Sequence, residues 1–84
     1  VLRLRVREVA QEKNMSIHRL SIKSEISYHV IREIFINPYR RLSTYIIDKI
    51  AEALEVPVTD IIEDVPKWRA EEERKRIKGR LEGS

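Results

Sequence analysis

The sequence predicts an all-α domain built from short helices, and three features of it do so. Pro38, Pro57 and Pro66 divide the first 66 residues into pieces that suit only small helices or strands, and no glycine occurs before Gly79. Serines stand where helices would begin, at Ser16, Ser27 and Ser43, and a serine hydroxyl there accepts a hydrogen bond from an otherwise unpaired first-turn N–H. Ile46, Ile47, Ile50, Ala51 and Leu54 recur at i, i+3 and i+4, the mark of one buried helical stripe. With 84 residues, 42% hydrophobic and 37% charged, the chain makes one small domain with a modest core and a wide wet surface.

The elements follow in order. Leu2, Leu4 and Val6 alternate with Arg3, Arg5 and Arg7 at strand period, whereas Val6, Val9, Ala10 and Lys13 follow helix period. Residues 1–4 are read as extended or fraying, and a first helix as running from about Arg5 to Lys13. Asn14 suits its C-terminus, since asparagine tolerates the left-handed conformation. Ser16 opens a second helix, Ile17 to Lys23, and Ser24-Glu25-Ile26 is a short connection. Ser27 opens a third, Tyr28 to Ile36, which Asn37-Pro38 stops, because proline bars the residue before it from the α region. After a loop over 38–42, Ser43 or Thr44 caps a fourth helix reaching Leu54. Pro57 favours a turn, and Val58 to Ile62 is expected as a short fifth helix with Ile61 and Ile62 inward.

Residues 67–84 are charge-dense, with Glu71–Lys75 and Glu72–Arg76 at i, i+4 in the favourable order. A solvated helix is expected there. Trp68, Ala70, Ile77 and Leu81 sustain no heptad, which argues against a coiled coil. The closing Leu81-Glu82-Gly83-Ser84 reads as a cloning remnant, and the lack of an initial Met suggests an engineered start.

Several function classes are disfavoured. No cysteine is present, so disulfides, thiolate metal sites and cysteine nucleophiles are excluded. His18 and His29 are the only histidines, too few for a zinc site without thiolates. No metal or cofactor is expected. Apolar runs stop at three or four residues, so no membrane span is expected, and no apolar segment follows the basic start as a signal peptide would require. No carboxylate pair or Ser–His–acid set suggests catalysis, and a chain this small has little room for a pocket. The protein is read as not an enzyme.

Two short helices three or four residues apart have the dimensions of a helix-turn-helix. At about 100° per residue, Tyr28, His29, Arg32, Glu33 and Ile36 share one arc of the third helix, and Val30, Ile31, Ile34 and Phe35 share the other. One arc is a core stripe. The other offers a phenol, an imidazole, a guanidinium and a carboxylate, groups able to reach base edges in a major groove about as wide as a helix. The serine-capped helix starts leave N–H groups oriented for phosphate, and Tyr39, Arg40 and Arg41 follow in the next loop.

Lys13-Asn14-Met15-Ser16, then Leu20, Ile26-Ser27, and finally Ile50-Ala51-Glu52-Ala53-Leu54-Glu55-Val56 form an ordered set. In that order and spacing, residues 4–63 resemble the Cro/CI-type, or XRE-like, helix-turn-helix family. The resemblance implies a five-helix lambda-repressor-like domain over 1–66, with 67–84 as a charged extension. It implies a third helix in the major groove and base contacts from Ser27, Tyr28, His29, Arg32 and Glu33. It implies phosphate contacts near Ser16, Ile17, Arg40, Arg41, Ser43 and Thr44. Three positions depart from the family's pattern. Glu25 stands where glycine is common and would be mildly strained if left-handed. Ser21 replaces a small alanine, and Ile17 replaces a glutamine whose phosphate bond it cannot make.

Arg32 is the leading base reader, because a guanidinium binds guanine O6 and N7 together. Glu33 repels phosphate and is read as orienting Arg32 or His29, or accepting from cytosine N4. Arg40 and Arg41 are read as phosphate clamps beside Tyr39, with Arg19 and Lys23 as outlying contacts. Trp68 is read as packing on the domain or on a partner subunit.

The expected function is sequence-specific double-stranded DNA binding by a small cytoplasmic transcriptional regulator of prokaryotic, phage or plasmid type. Small modules bind weakly alone, so a homodimer on a pseudo-palindromic operator is expected, with the fifth helix, Val65, Trp68 and the tail at its interface. The alternative is a DNA-binding antitoxin or accessory subunit whose residues 67–82 order on a protein partner. A third class is an interaction module that kept the fold and lost DNA binding. The distribution of charge supports DNA binding. The net charge is +3, but residues 1–44 hold 9 basic and 4 acidic residues, giving +5, and residues 45–66 hold 1 and 6, giving −5. A molecule so polarised is steered to phosphate with one face forward.

Overall fold

The computed structural model describes residues 1–82, with side chains through Arg80. Gly83, Ser84 and the side chains of Leu81 and Glu82, in the expected cloning remnant, lie outside the described residues. The elements are β1 (Leu2–Leu4), α1 (Val6–Glu12), α2 (Ile17–Ser24), α3 (Tyr28–Ile36), α4 (Thr44–Leu54), β2 (Ile62–Asp64) and α5 (Lys67–Glu82). The fold is mostly helical with one small antiparallel sheet. None of the described helices is long and apolar enough to cross a membrane.

Local chemistry sets the helix limits. The hydroxyls of Ser16, Ser27 and Ser43 accept from the backbone N–H of Arg19, Val30 and Ile46, at 3.1, 3.3 and 3.2 Å. The chain leaves α1 through Asn14 in the left-handed region, φ 54°. It leaves α4 through Glu55, φ 58°, while the Val56 N–H returns to the Ala51 carbonyl at 3.1 Å. The Asn37 side chain accepts from the Tyr39 N–H at 3.0 Å, which shapes the loop after α3.

Leu20, Ile31, Ile34, Ile50, Leu54 and Ile61 are fully buried and form the centre of the core with Val6, Val9 and Ala10. Packing these stripes together supplies the main stabilisation, roughly 1.5–3 kcal/mol for each large side chain removed from water.

Two expectations change. The segment expected as a fifth helix is a single 3₁₀ turn, Val58–Asp60, followed by β2. Ile61 is buried as expected, but Ile62 is only half-buried. The reason is the start of the chain, whose residues 2–4 are a paired strand. Leu2 faces Asp64, Arg3 faces Glu63 and Leu4 faces Ile62. The β-branched Ile61-Ile62 segment gains a ladder there that one more helical turn would forgo. Leu4 N–H to the Pro38 carbonyl and Arg5 N–H to the Ile61 carbonyl, both 2.7 Å, join the strand to its surroundings.

The charged segment is helical, and one side of it is held against the domain. Ala70 is fully buried. The Arg3 guanidinium makes two bonds to the Glu73 carboxylate, each 2.8 Å. Arg3 also reaches Glu8 and, at 3.3 Å, Glu63. Glu73 in turn accepts from the Tyr39 hydroxyl, and Arg74 lies over the Tyr39 ring, 4.8 Å from its centre. Trp68 does not pack into the domain, being 67% exposed, whereas Val65 is buried and unavailable to a partner subunit. Its N–H is bonded to the Val1 carbonyl at 2.9 Å.

Bonding to Arg3 holds the Glu73 carboxyl down at about 2, against an ordinary 4.5. Arg3 is raised, chiefly by the same bonds. Burial, then the bond to Glu73, raises the Tyr39 phenol. A carboxylate whose pKa is lowered by folding adds stability above its unfolded pKa and loses it as pH falls through the folded value. The thermal midpoint is therefore expected to hold steady above about pH 5 and to fall between about pH 5 and pH 2. Glu73→Gln should cost about 1–2 kcal/mol at pH 7, the bare shift being reduced by solvent screening, and should flatten this acid limb. Thermal melts across pH check both outcomes.

Glu25 is left-handed, φ 62°, as the turn between α2 and α3 requires. Glutamate is strained there and glycine is not, so Glu25→Gly is expected to raise stability by about 0.5–1 kcal/mol in a denaturant titration. A loss of stability would show that the turn does not carry that strain.

Candidate nucleic-acid interface

The turn between α2 and α3 is fastened by two serines. The Ser21 hydroxyl donates to the Ile26 carbonyl at 2.8 Å. The Ser24 hydroxyl, 2% exposed, donates to the Ser21 carbonyl at 3.4 Å and accepts from the Ile26 N–H at 3.3 Å. Both backbone groups of Ile26 are thus satisfied by side chains, and α3 is set at a fixed angle to α2. Ser21 was noted above only as a departure from a family pattern; its role here required the folded turn to be visible.

The helix-period split of α3 is the one observed. Ile31 and Ile34 are buried, with Val30 and Phe35 packed against the core. Ser27, Tyr28, His29 and Arg32 are exposed, and Glu33 and Ile36 are half-buried. Glu33 sits between two guanidinium groups and the His29 imidazole. Its carboxylate lies 3.9 Å from Arg32, 4.0 Å from His29 and 3.7 Å from Arg40. These are charge contacts rather than tight hydrogen bonds. They draw the outward arc of α3 and the following loop toward one carboxylate.

The expected phosphate residues fall in three places. Ser16 and Arg19 are exposed in the first turn of α2, and Ile17 is half-buried against the core, so only its backbone is free to meet an anion. Arg40, Arg41, Ser43 and Thr44 are exposed in the loop and at the start of α4. Tyr39 sits among them with its hydroxyl committed to Glu73. Lys23 lies in the last turn of α2 and faces Glu55 at 3.6 Å.

The structure adds residues that the pattern did not mark. The His18 ring stands 6.5 Å from that of Tyr28, beside the start of α3. Arg7 and Gln11 of α1 and Arg80 of α5 share a cleft with Ile17 and Arg32. No sequence signal could place Arg80 there, because its position depends on the docking of α5 through Arg3 and Glu73. Among the described residues, no cluster of His, Cys, Asp or Glu could hold a metal ion. An exposed helix face with guanidinium and aromatic groups beside a basic loop is suited to a polyanion.

No curated protein and no solved structure matches the chain. A family model does match, described as a Cro/C1-type HTH DNA-binding domain, over residues 5–67. That span takes in α1 through β2 and stops at the first residue of α5. The chain belongs to the Cro/C1-type HTH DNA-binding domain family.

Proposed function

We propose that the protein is a small transcriptional regulator that binds double-stranded DNA in a sequence-specific way, with α3 in the major groove. The observation that carries this reading is the exposed arc of Tyr28, His29 and Arg32, with Glu33 bridging Arg32 to Arg40 across the loop. Arg32 makes the bidentate contact to guanine, and Ser27, Tyr28 and His29 meet neighbouring base edges. Glu33 keeps the guanidinium aimed before contact and accepts from a cytosine amino group where one is in reach. Ser16, the Ile17 N–H, Arg19, Lys23, Tyr39, Arg40, Arg41, Ser43 and Thr44 set the register on the phosphates without reading sequence.

The protein acts in the cytoplasm as a homodimer on a pseudo-palindrome whose half-sites lie about one helical turn apart. Trp68, apolar and exposed on the domain's own α5, supports an interface there. Residues 1–66 form the binding domain and 67–82 the element that carries the dimer contact. Regulation follows from occluding polymerase or touching it at a promoter.

Selection of bound duplexes from a random pool tests the reading and yields the operator. On that operator, Arg32→Ala is expected to cost about 1–3 kcal/mol and to relax preference at one base position. Unchanged discrimination would remove Arg32 from the readout. Arg40→Ala is expected to weaken all sequences about equally and to lower the salt slope by about 1 per bound protomer. A loss confined to the operator would instead make Arg40 a base reader.

A further inference from the structure

An open cleft of ≈ 460 Å³ lies between α5 and the outward side of α3. Arg7 and Gln11 of α1, Ile17 of α2, Arg32 and Ile36 of α3, and Arg80 of α5 line it. Its lining holds three guanidinium groups and no carboxylate. Arg7 and Arg80 are exposed and make no ion pair or side-chain hydrogen bond among the described residues. The contrast with Arg3 is sharp, since that guanidinium is shared by Glu8, Glu63 and Glu73.

The converging charges are not there by chain flexibility alone. α5 is held by buried Ala70 and by the Arg3–Glu73 pair, and Arg80 lies two turns beyond Glu73 on the same helix. Ile77 of α5 lines the same cleft as Ile36, the one apolar residue on the outward arc of α3. Arg7 and Arg80 also line an adjoining cleft with Glu8 and Glu73, but those carboxylates are engaged by Arg3, so an anion beside the two arginines relieves the repulsion between like charges.

We propose that this cleft takes a backbone phosphate of bound DNA, held by Arg80 and Arg7, so that α5 extends the DNA interface beyond the family domain. Arg32 and Ile17 belong both to the cleft and to the proposed DNA face, so a duplex seated on α3 passes its mouth. The clamp is separate from Arg40 and Arg41, which line a different cleft with Leu2 and Ile47. The assignment rests on the reading of α3 as the groove-binding helix.

The test measures affinity of the full chain for its selected duplex against salt concentration. Arg80→Ala and Arg7→Ala are each expected to lower the slope of log affinity against log salt by about 0.9 per bound protomer, equally on operator and unrelated duplex. Arg80→Lys should restore most of the slope. Lys49→Ala, on α4 and outside both clefts, should leave it unchanged. A duplex trimmed of its flanking base pairs should erase the difference between the Arg80→Ala and unmodified chains. Unaltered slopes for both arginine variants, or a difference that persists on the trimmed duplex, would overturn the assignment while leaving the proposed function standing. Failure of the unmodified chain to bind any duplex would overturn both.

Discussion

One guanidinium, that of Arg3, joins four elements of the molecule. It stands on β1 and bonds to Glu8 of α1, Glu63 of β2 and Glu73 of α5. Through Glu73 it also orders Tyr39 in the loop that follows α3. The Arg3 side chain is only 15% exposed, so its charge is largely out of water and depends on these partners. Removing one member of such a set strands the others, which costs more than the set gains over an apolar replacement. Among the described residues, every buried side-chain polar atom has a hydrogen-bond partner. The position of α5, and hence of the arginines at its far end, follows from this node.

The parts of the fold that could be read from the sequence are those with local causes. α3 begins after Ser27 and ends before Asn37-Pro38, and both signals are chemical properties of the residues themselves. The same holds for α4 after Ser43 and for the left-handed turn at Asn14. The β1–β2 pair was not legible, because its partners are about 60 residues apart and each strand alone has three residues. The alternation of Leu2, Leu4 and Val6 hinted at a strand but named no partner. α5 misled in a related way. Its i, i+4 pairs suit a solvated helix, and nothing in them reveals that Glu73 meets a residue 70 positions earlier.

The candidate site divides along the same line. The outward arc of α3 follows from helical period, so Tyr28, His29, Arg32 and Glu33 were legible together. The bridge from Glu33 to Arg40 was not, since a loop conformation decides it. The neighbourhood of Arg80 was the least legible, because it requires the Arg3 node to be in place. Charge behaves likewise. Residues 1–66 are neutral in sum, yet their +5 and −5 halves are separated along the chain, and the excess of +3 lies in residues 67–84. The structure brings part of that basic segment beside α3, so the tail's charge and the domain's polarity act on one surface.

The central claim is that DNA meets the outward arc of α3. Backbone amide shifts of the full chain, followed by NMR during titration with a selected duplex, test it directly. The largest changes are expected at residues 27–33, with further changes at the start of α2 and over residues 39–44. Changes confined to α4 and β2, with α3 unmoved at saturation, would contradict it.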